Sequence, residues 1–418
     1  MRSMQAKASS SAKTPVHLLG ISQIISYGML FYAFAALKSY LAAATGLDQS
    51  VILTTLSAAL IVQALIMPLI GNLCDRIGAL HVMRFGFLVG AIGMFGLGLV
   101  SVPAFGHWLY LLGCFAVIGV GLAMSTYEMA FGAAVQINEA KSRRNISIIT
   151  FYGGVASSLT WMSIHPLLSY FGLFGACCII AAILTIMGLF IRSSAYKYQA
   201  ASKTGSKDKP LAGFSWQGMK TVEKGALILL ASSGALEYVL FSATTLLWIS
   251  WFELKFDNLA LAVLLASTYG PFQTVGRALE MLVSSKLDAR ITSLIACLFV
   301  PASLLCIFSD QLYMSFLAMA LFGMGHGVLT VSFGFITNLY FRAEVYGRAK
   351  GIIATPRVIG SALGPSIGGL LFAFNTDIFM SVMIGISLAT TLLFFCLLFL
   401  QPTNPVHLKN NSELSKSG

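Results

Sequence analysis

Long runs of apolar residues alternate with short polar breaks along almost the whole chain. An α-helix of about 20 residues spans the ~30 Å hydrocarbon core of a bilayer. Because only helices or closed barrels satisfy their backbone groups in lipid, unbroken runs of this length predict membrane-spanning helices. Twelve runs stand out, roughly at positions 17–41, 51–71, 82–102, 108–134, 146–169, 173–192, 224–250, 259–285, 290–309, 312–340, 346–373 and 376–400. The pattern therefore predicts an all-α membrane protein with twelve transmembrane helices.

One long polar interruption, rich in lysine and small residues, divides the predicted helices six and six. Such a stretch is typical of a linker between two bundles. The predicted organisation is an N-terminal tail at 1–16, a six-helix bundle at 17–192, a linker at 193–223, a second six-helix bundle at 224–400 and a C-terminal tail at 401–418.

The two predicted bundles share sequence identities at a constant spacing. An offset of 204 residues pairs Gly119 with Gly323 and Thr126 with Thr330, and the match continues through the following loop and helix. Repeated halves of this kind are common in membrane carriers. The sequence thus predicts two structurally related bundles.

Composition and charge placement support a membrane protein and not a nucleic-acid binder. The chain is 57% hydrophobic and 10% charged, with a mean hydropathy of +0.84. If both termini are cytoplasmic, 22 of its 26 Lys and Arg residues fall in the tails and inward-facing loops. This positive-inside bias predicts a multi-pass protein, of a bacterial inner membrane, with both tails in the cytoplasm, despite the net charge of +11.

Two arginines, Arg277 and Arg357, lie inside apolar runs where a permanent charge is expensive. Such residues face protein or water and are typical of solute sites. A guanidinium in a low-dielectric cavity binds a carboxylate strongly, so the pair predicts a carrier for an anionic solute. The alternative for Arg277 is neutralisation by Glu280, three residues further along the same helix.

Two intramembrane acids, Glu128 and Glu237, are candidates for proton coupling or for counter-ions. A buried carboxyl favours its protonated form, whereas a salt bridge with an arginine favours the charged form. The sequence alone does not choose between these roles.

The loop after the second predicted helix reads Gly71-Asn-Leu-Cys-Asp75-Arg76-Ile-Gly78. This Gly-x-Leu-x-Asp-Arg-x-Gly pattern resembles the loop 2–3 signature of the major facilitator superfamily. The resemblance implies the two-bundle fold of that family and a cytoplasmic gate. Asp75 would cap a neighbouring helix and Arg76 would bridge to a carboxylate, while Gly71 and Gly78 shape the turn.

The eleventh predicted helix carries a glycine pattern, Gly351-x8-Gly360-x3-Gly364-Pro365-x2-Gly368-Gly369. It is similar to the antiporter motif of the same superfamily, which there marks the fifth helix. Small residues at this spacing allow close helix packing, so we expect a flexible seam between the halves.

Arg277 on predicted helix eight and Arg357 on predicted helix eleven resemble cations of the oxalate/formate antiporters. In those proteins the two cations are thought to clamp a dicarboxylate. The end of helix one, Tyr32-Ala33-Phe34 followed by Lys38, resembles monocarboxylate transporters, where a lysine meets the substrate carboxylate. Here three residues separate Phe34 from Lys38 instead of one. Lys38 is predicted to bind the substrate carboxylate, and the alternative is that it snorkels outward to the membrane surface. Tyr27 and Phe31 lie on one face of this helix and are predicted to line the cavity.

The leading hypothesis is a monomeric secondary active transporter that moves a small organic mono- or dicarboxylate by alternating access. The alternative is a proton-coupled exporter of a drug or a larger metabolite, such as a carboxylate siderophore. A third possibility is a non-transporting receptor or assembly factor. No nucleotide cradle, catalytic triad or metal cluster is evident in the sequence, so neither a cofactor nor an enzyme activity is expected.

Overall fold

The computed structural model describes residues 15–102, 108–202, 216–284, 287–343 and 345–404. All regular structure in these ranges is helical. Eleven helical stretches there are long and apolar enough to cross a membrane by length and composition. A twelfth, more polar helix completes two six-helix bundles, so the predicted fold class is confirmed.

The N-terminal half consists of helices α1 to α6. Their bounds are α1 Val16–Thr45, α2 Gln49–Ile77, α3 Ala79–Ser101, α4 Trp108–Ile137, α5 142–171 and α6 173–202. Helix α5 starts with the polar turn Ser142-Arg143-Arg144-Asn145 and is interrupted after Gly154. This polar start explains why α5 is the least evident span. Gly172, at φ +66°, joins α5 directly to α6.

The C-terminal half consists of α7 to α12. Their bounds are α7 Thr221–Phe256, α8 Leu259–Val283, α9 Ala289–Cys306, α10 Leu312–Tyr340, α11 Tyr346–Phe374 and α12 Thr376–Leu398. The predicted domain boundary at 192 lies inside α6, which continues to Ser202. The apolar run ends near that boundary but the helix does not, because helical backbone hydrogen bonds form between polar residues as well as between apolar ones. Part of the predicted linker, 203–215, and most of both predicted tails lie outside the described residues.

Because the helices alternate in direction, the start of α1, the end of α6, the start of α7 and the end of α12 lie at the same end of the bundle. We call this the linker end. Helix α1 packs mainly on helices of its own half, and so does α7. Contacts between the halves join α2 with α11, α4 with α11, and α5 with α8 and α10. The halves are therefore held together from the linker end towards the middle of the protein.

Candidate functional site

The last turn of α2 caps the start of α11 across the interface between the halves. The Asp75 carboxylate accepts hydrogen bonds from the backbone N–H groups of Gly347, at 2.8 Å, and Arg348, at 2.9 Å. The Arg348 Nε lies 3.5 Å from the same carboxylate, whose side chain is fully buried. A helix N-terminus carries partial positive charge and unpaired N–H groups, which a carboxylate satisfies. Asp75 thus fastens one half to the other at the linker end.

Glycines allow the two helices to approach closely enough for this contact. A Cβ on Gly71 would overlap the carbonyl oxygen of Gly347, and a Cβ on Gly351 would overlap that of Met67. Gly78, at φ +89°, adopts a left-handed conformation that ends α2 and turns the chain into α3. The backbones of α2 and α11 are therefore in direct contact.

The expected bridge from Arg76 to a carboxylate is not present among the described residues. Its side chain is exposed at the end of α2, and we find no hydrogen bond or ion pair from it to other described residues. Consecutive helical residues are about 100° apart, so Arg76 faces away when Asp75 faces α11. Arg348 of the other half provides the cation beside Asp75. The gating role of Gly71, Asp75, Arg76 and Gly78 stays a prediction.

A second contact between the halves joins the start of α5 to the end of α8. The Arg143 Nη2 lies 2.6 Å from the Glu280 Oε1. Arg143 also donates to the Ser284 carbonyl at 2.9 Å, to the Thr292 hydroxyl at 3.2 Å and to the Leu287 carbonyl. Glu280 therefore pairs with an arginine of the other half and not with Arg277. The long Arg143 side chain reaches Glu280 with favourable geometry, whereas Arg277 bends towards α5.

The loop that receives Arg143 has its own charge pair, which predicts a pH dependence. Burial alone raises the pKa of Asp288, but hydrogen bonds from Arg290 outweigh it and hold the pKa below its usual value. A lowered pKa gives stability that is present above about pH 4 and lost as the pH falls through the folded-state value. We expect Asp288→Asn to lower the thermal unfolding midpoint at pH 7. The two midpoints should converge towards pH 3, and a pH-independent difference would contradict this assignment.

In the middle of the protein, Glu128 of α4 lies between two cations of α11. The Lys350 Nζ is 3.2 Å from one carboxylate oxygen, and the Arg357 Nη1 is 3.5 Å from the other. Lys350 is fully buried and also donates to the Phe333 carbonyl at 2.6 Å. Glu128 is thus a counter-ion in this conformation, and it is supplied by the half opposite to its partners.

Arg357 is 4% exposed and held by aromatic groups of its own half. Its Nη2 donates to the Tyr238 hydroxyl at 2.8 Å, and its guanidinium lies over the Tyr238 and Phe333 rings at 4.5 and 4.4 Å. The Nε atom is buried without a hydrogen-bond acceptor among the described residues. Stacked guanidinium groups are well positioned for planar recognition of a carboxylate.

Arg277 lies on α8 and is 6% exposed. Its Nη1 donates to the Thr150 carbonyl of α5 at 2.8 Å, and its Nε has no acceptor among the described residues. No ion pair joins it to a described carboxylate. A Cβ on Gly154 would crowd this guanidinium, so that glycine leaves it space. Arg277 therefore brings a charge that no described acid neutralises by direct contact.

Glu237, unlike Glu128, has no ion-pair partner among the described residues. It is 2% exposed on α7, and neither carboxylate oxygen has a hydrogen-bond partner among the described residues. It lines a cavity of about 10 Å³ inside the C-terminal bundle. That volume is close to the minimum for one water molecule and excludes a solute. The cavity is lined by Glu237, Leu240, Phe241, Cys297, Val300, Leu329, Ser387 and Thr390.

The predicted binding residues of α1 are Tyr27, Phe31 and Lys38, and they lie at two different depths along the helix. Tyr27 is half-buried, and its ring lies 4.7 Å from that of Tyr127, which stacks on Phe131 beside Glu128. Phe31 is also half-buried, in a five-residue π-helical segment, a widened turn that recurs at functional sites. Lys38 lies 11 residues beyond Tyr27, about 16 Å further along the helix. The structure therefore brings Tyr27 near the cations but leaves Lys38 far from them.

Lys350 is the residue that sequence reasoning missed. It lies near the polar start of the eleventh apolar run and was counted as a loop cation. Its position four residues inside that run is the signal that would have identified it. Among the described residues, the middle of the protein thus holds three cations (Arg277, Lys350, Arg357) and two acids (Glu128, Glu237), one of them unpaired. This arrangement favours binding of negative charge.

Comparison with known proteins places the chain in a family. The model of the Major Facilitator Superfamily matches residues 19–300 and 264–417. No curated protein matches the sequence significantly.

Three solved structures illustrate the similarity of fold. The transporter FucP in an outward conformation has a TM-score of 0.71 and 13% identity, covering 93% of this chain and 99% of its own. A bacterial homologue of the iron transporter ferroportin has a TM-score of 0.70 and 16% identity, covering 92% and 99%. The human organic anion transporter MFSD10 (TETRAN) has a TM-score of 0.63 and 14% identity, covering 91% and 98%. At these identities the matches show the fold alone.

Proposed function

Because the chain belongs to the Major Facilitator Superfamily, we propose that it is a secondary active transporter for a small organic anion. The solute is a mono- or dicarboxylate bound between the halves by Arg277 and Arg357. Tyr27 and Phe31 contribute the wall on the α1 side. In this proposal the protein acts as a monomer in the inner membrane of a bacterium, with both termini in the cytoplasm. Its other partners are membrane lipids and, as a coupling ion, protons.

The excess of buried positive charge carries this proposal. Lys350 and Arg357 share the carboxylate of Glu128, and Arg277 donates to a backbone carbonyl without an ion pair to any described carboxylate. Burying an uncompensated charge is costly. A carboxylate that enters between the halves offsets this cost and gains two charge-assisted contacts.

The contacts between the halves are compatible with alternating access and support this part of the proposal. In the described conformation the Asp75 contact with α11 and the Arg143 contact with Glu280 hold the linker end together. The distribution of Lys and Arg supports a cytoplasmic placement of this end. The cycle then consists of breaking these two contacts while contacts form at the opposite end.

A second candidate function rests on Glu237. A buried carboxyl without a hydrogen-bond donor suits a proton-driven exporter of a drug or a larger metabolite. In that case Arg277 and Arg357 organise the interface and do not bind solute. Export that requires a pH gradient, together with absence of carboxylate uptake, would favour this candidate.

Uptake into proteoliposomes at equal pH on both sides tests the main proposal. We expect saturable uptake of at least one radiolabelled probe among lactate, oxalate and succinate. Arg277→Gln should lower its apparent affinity roughly 30-fold or more, since losing one partner of a buried charge pair costs about 2 kcal/mol or more. Arg84, a cation of α3 outside the site, supplies the matched control Arg84→Gln, with uptake unchanged. Absence of uptake of all three probes, or an Arg277→Gln variant with wild-type affinity, would contradict the proposal.

A further inference from the structure

The counter-ion of Arg357 belongs to the opposite half of the protein. Glu128 lies on α4 of the N-terminal half, and Arg357 on α11 of the C-terminal half. Alternating access moves the halves relative to each other. When the linker end opens, Glu128 moves away together with its half, and Arg357 loses this partner.

Glu237, in contrast, belongs to the same half as Arg357 and keeps its position relative to it. A Cβ on Gly360 would overlap the Ala235 carbonyl of α7, and one on Gly364 would overlap Ser242 of α7. A Cβ on Gly234 of α7 would in turn crowd the Arg357 side chain. Helices α7 and α11 are therefore in backbone contact along this stretch and move as one body. Only the Gly351 end of the predicted glycine seam lies between the halves.

Glu237 carries no charge-stabilising contact in the described conformation. Both of its oxygens lack a donor, and the cavity beside it offers only hydroxyl and thiol groups. A charged carboxylate in such a place is strongly disfavoured, whereas a carboxylic acid is not. The charged and titratable groups that face it are Arg357 and Lys350 on α11, Tyr238 on α7, Tyr269 on α8 and Cys297 on α9. The two cations are the groups that would stabilise the carboxylate form.

We propose that Glu237 is the alternate counter-ion of Arg357 and the proton-coupling site of the carrier, an inference that rests on the function proposed above. With the linker end closed, Glu128 neutralises Arg357 and Glu237 holds a proton. When the halves part at the linker end, Arg357 draws Glu237 into an ion pair. The O–H bond of the carboxylic acid breaks, the proton passes to water, and the electron pair stays on the carboxylate.

This exchange of counter-ions fixes the direction of coupling. With the linker end closed, Glu237 takes up one proton from the opposite end of the protein. With the linker end open, Glu237 releases this proton at the linker end. A solute anion that travels with this step moves as a proton symport, which is electroneutral for a monocarboxylate. If the linker end is cytoplasmic, as proposed above, this symport carries the solute anion into the cell.

Proteoliposomes with an imposed pH gradient test the coupling. The wild type should accumulate the transported probe several-fold above equilibrium when the outside is acidic. Glu237→Gln mimics the protonated acid and is expected to fold. It should still exchange probe at equal pH but lose the accumulation. Glu253→Gln, on an exposed position of the same helix, should behave as the wild type.

The outcomes separate the two proposals. Uptake at equal pH without gradient-driven accumulation would overturn the role of Glu237 and leave the anion carrier standing. Accumulation retained in Glu237→Gln would overturn it as well. If no probe is transported, infrared spectroscopy of the purified protein still gives an answer. The carbonyl band of a protonated carboxylic acid should be present at neutral pH in the wild type and weaker in Glu237→Gln, and an unchanged band would overturn the inference.

Discussion

Replacing Asp75 with alanine should abolish closure of the linker end and with it most of the transport. The variant removes a fully buried carboxylate that accepts two backbone hydrogen bonds and faces Arg348. Removing one partner of a buried charge network costs about 3–5 kcal/mol. Because each 1.4 kcal/mol is a factor of ten, the closed population should fall by a factor of roughly 100 or more relative to the open one.

Spin labels on the two halves measure this shift directly. Arg76 and Arg342 are exposed at the linker end of opposite halves and are suitable labelling positions once they are replaced by cysteine. The distance distribution between the labels should move to longer values in Asp75→Ala. Asp257→Asn makes a similar change in charge at an exposed position of the opposite end, and it should leave the distribution unchanged. A short distance retained in Asp75→Ala would show that Arg143 and Glu280 suffice for closure.

Arg357→Gln should strongly reduce saturable anion uptake without loss of folded protein. Glu128 keeps Lys350 as a partner in this variant, so no carboxylate is left without a cation. The solute, however, loses a guanidinium that is stacked between two aromatic rings. The expected loss is about 2–5 kcal/mol of binding, which lowers uptake at a fixed probe concentration roughly 30-fold or more.

Arg357→Lys is the informative companion variant. It keeps the charge but removes the planar donor arrangement and much of the stacking, so binding should weaken less than in Arg357→Gln. Thermal unfolding in detergent checks that all three proteins are folded. Uptake kinetics of Arg357→Gln equal to those of the wild type would remove this residue from the mechanism and would favour the exporter described above.

Local sequence patterns predicted what depends on local chemistry. Helix number follows from the length of apolar runs. The cap made by Asp75 was predicted from the resemblance of its loop to the loop 2–3 signature, although its partner lies 272 residues away. The glycines at 71 and 351 marked places of close packing. Helix number is set by residues near one another in the chain, and a short motif marks a site of close contact without naming its distant partner.

Partners across the interface between the halves were not predictable in this way. Glu280 has Arg277 one turn away, yet it binds Arg143, which is 137 residues distant in sequence. Arg76 has the right charge for a gate, but its angle on the helix directs it outwards, and Arg348 lies beside Asp75 instead. Lys350 was missed because burial of a lysine near a helix start depends on which helices cover it. Such pairings are decided by the packing of distant helices, on which a single sequence carries little information.

Helix α11 touches α2 through Gly347 and Gly351, and α7 through Gly360 and Gly364. In the proposed cycle the α2 contact opens in every turnover, and the α7 contact persists. A compound shaped to wedge between α2 and α11 would therefore arrest the carrier with its linker end apart, whatever the solute. Enlarging Gly351 by mutation would imitate such an inhibitor, whereas enlarging Gly360 would damage the C-terminal bundle itself.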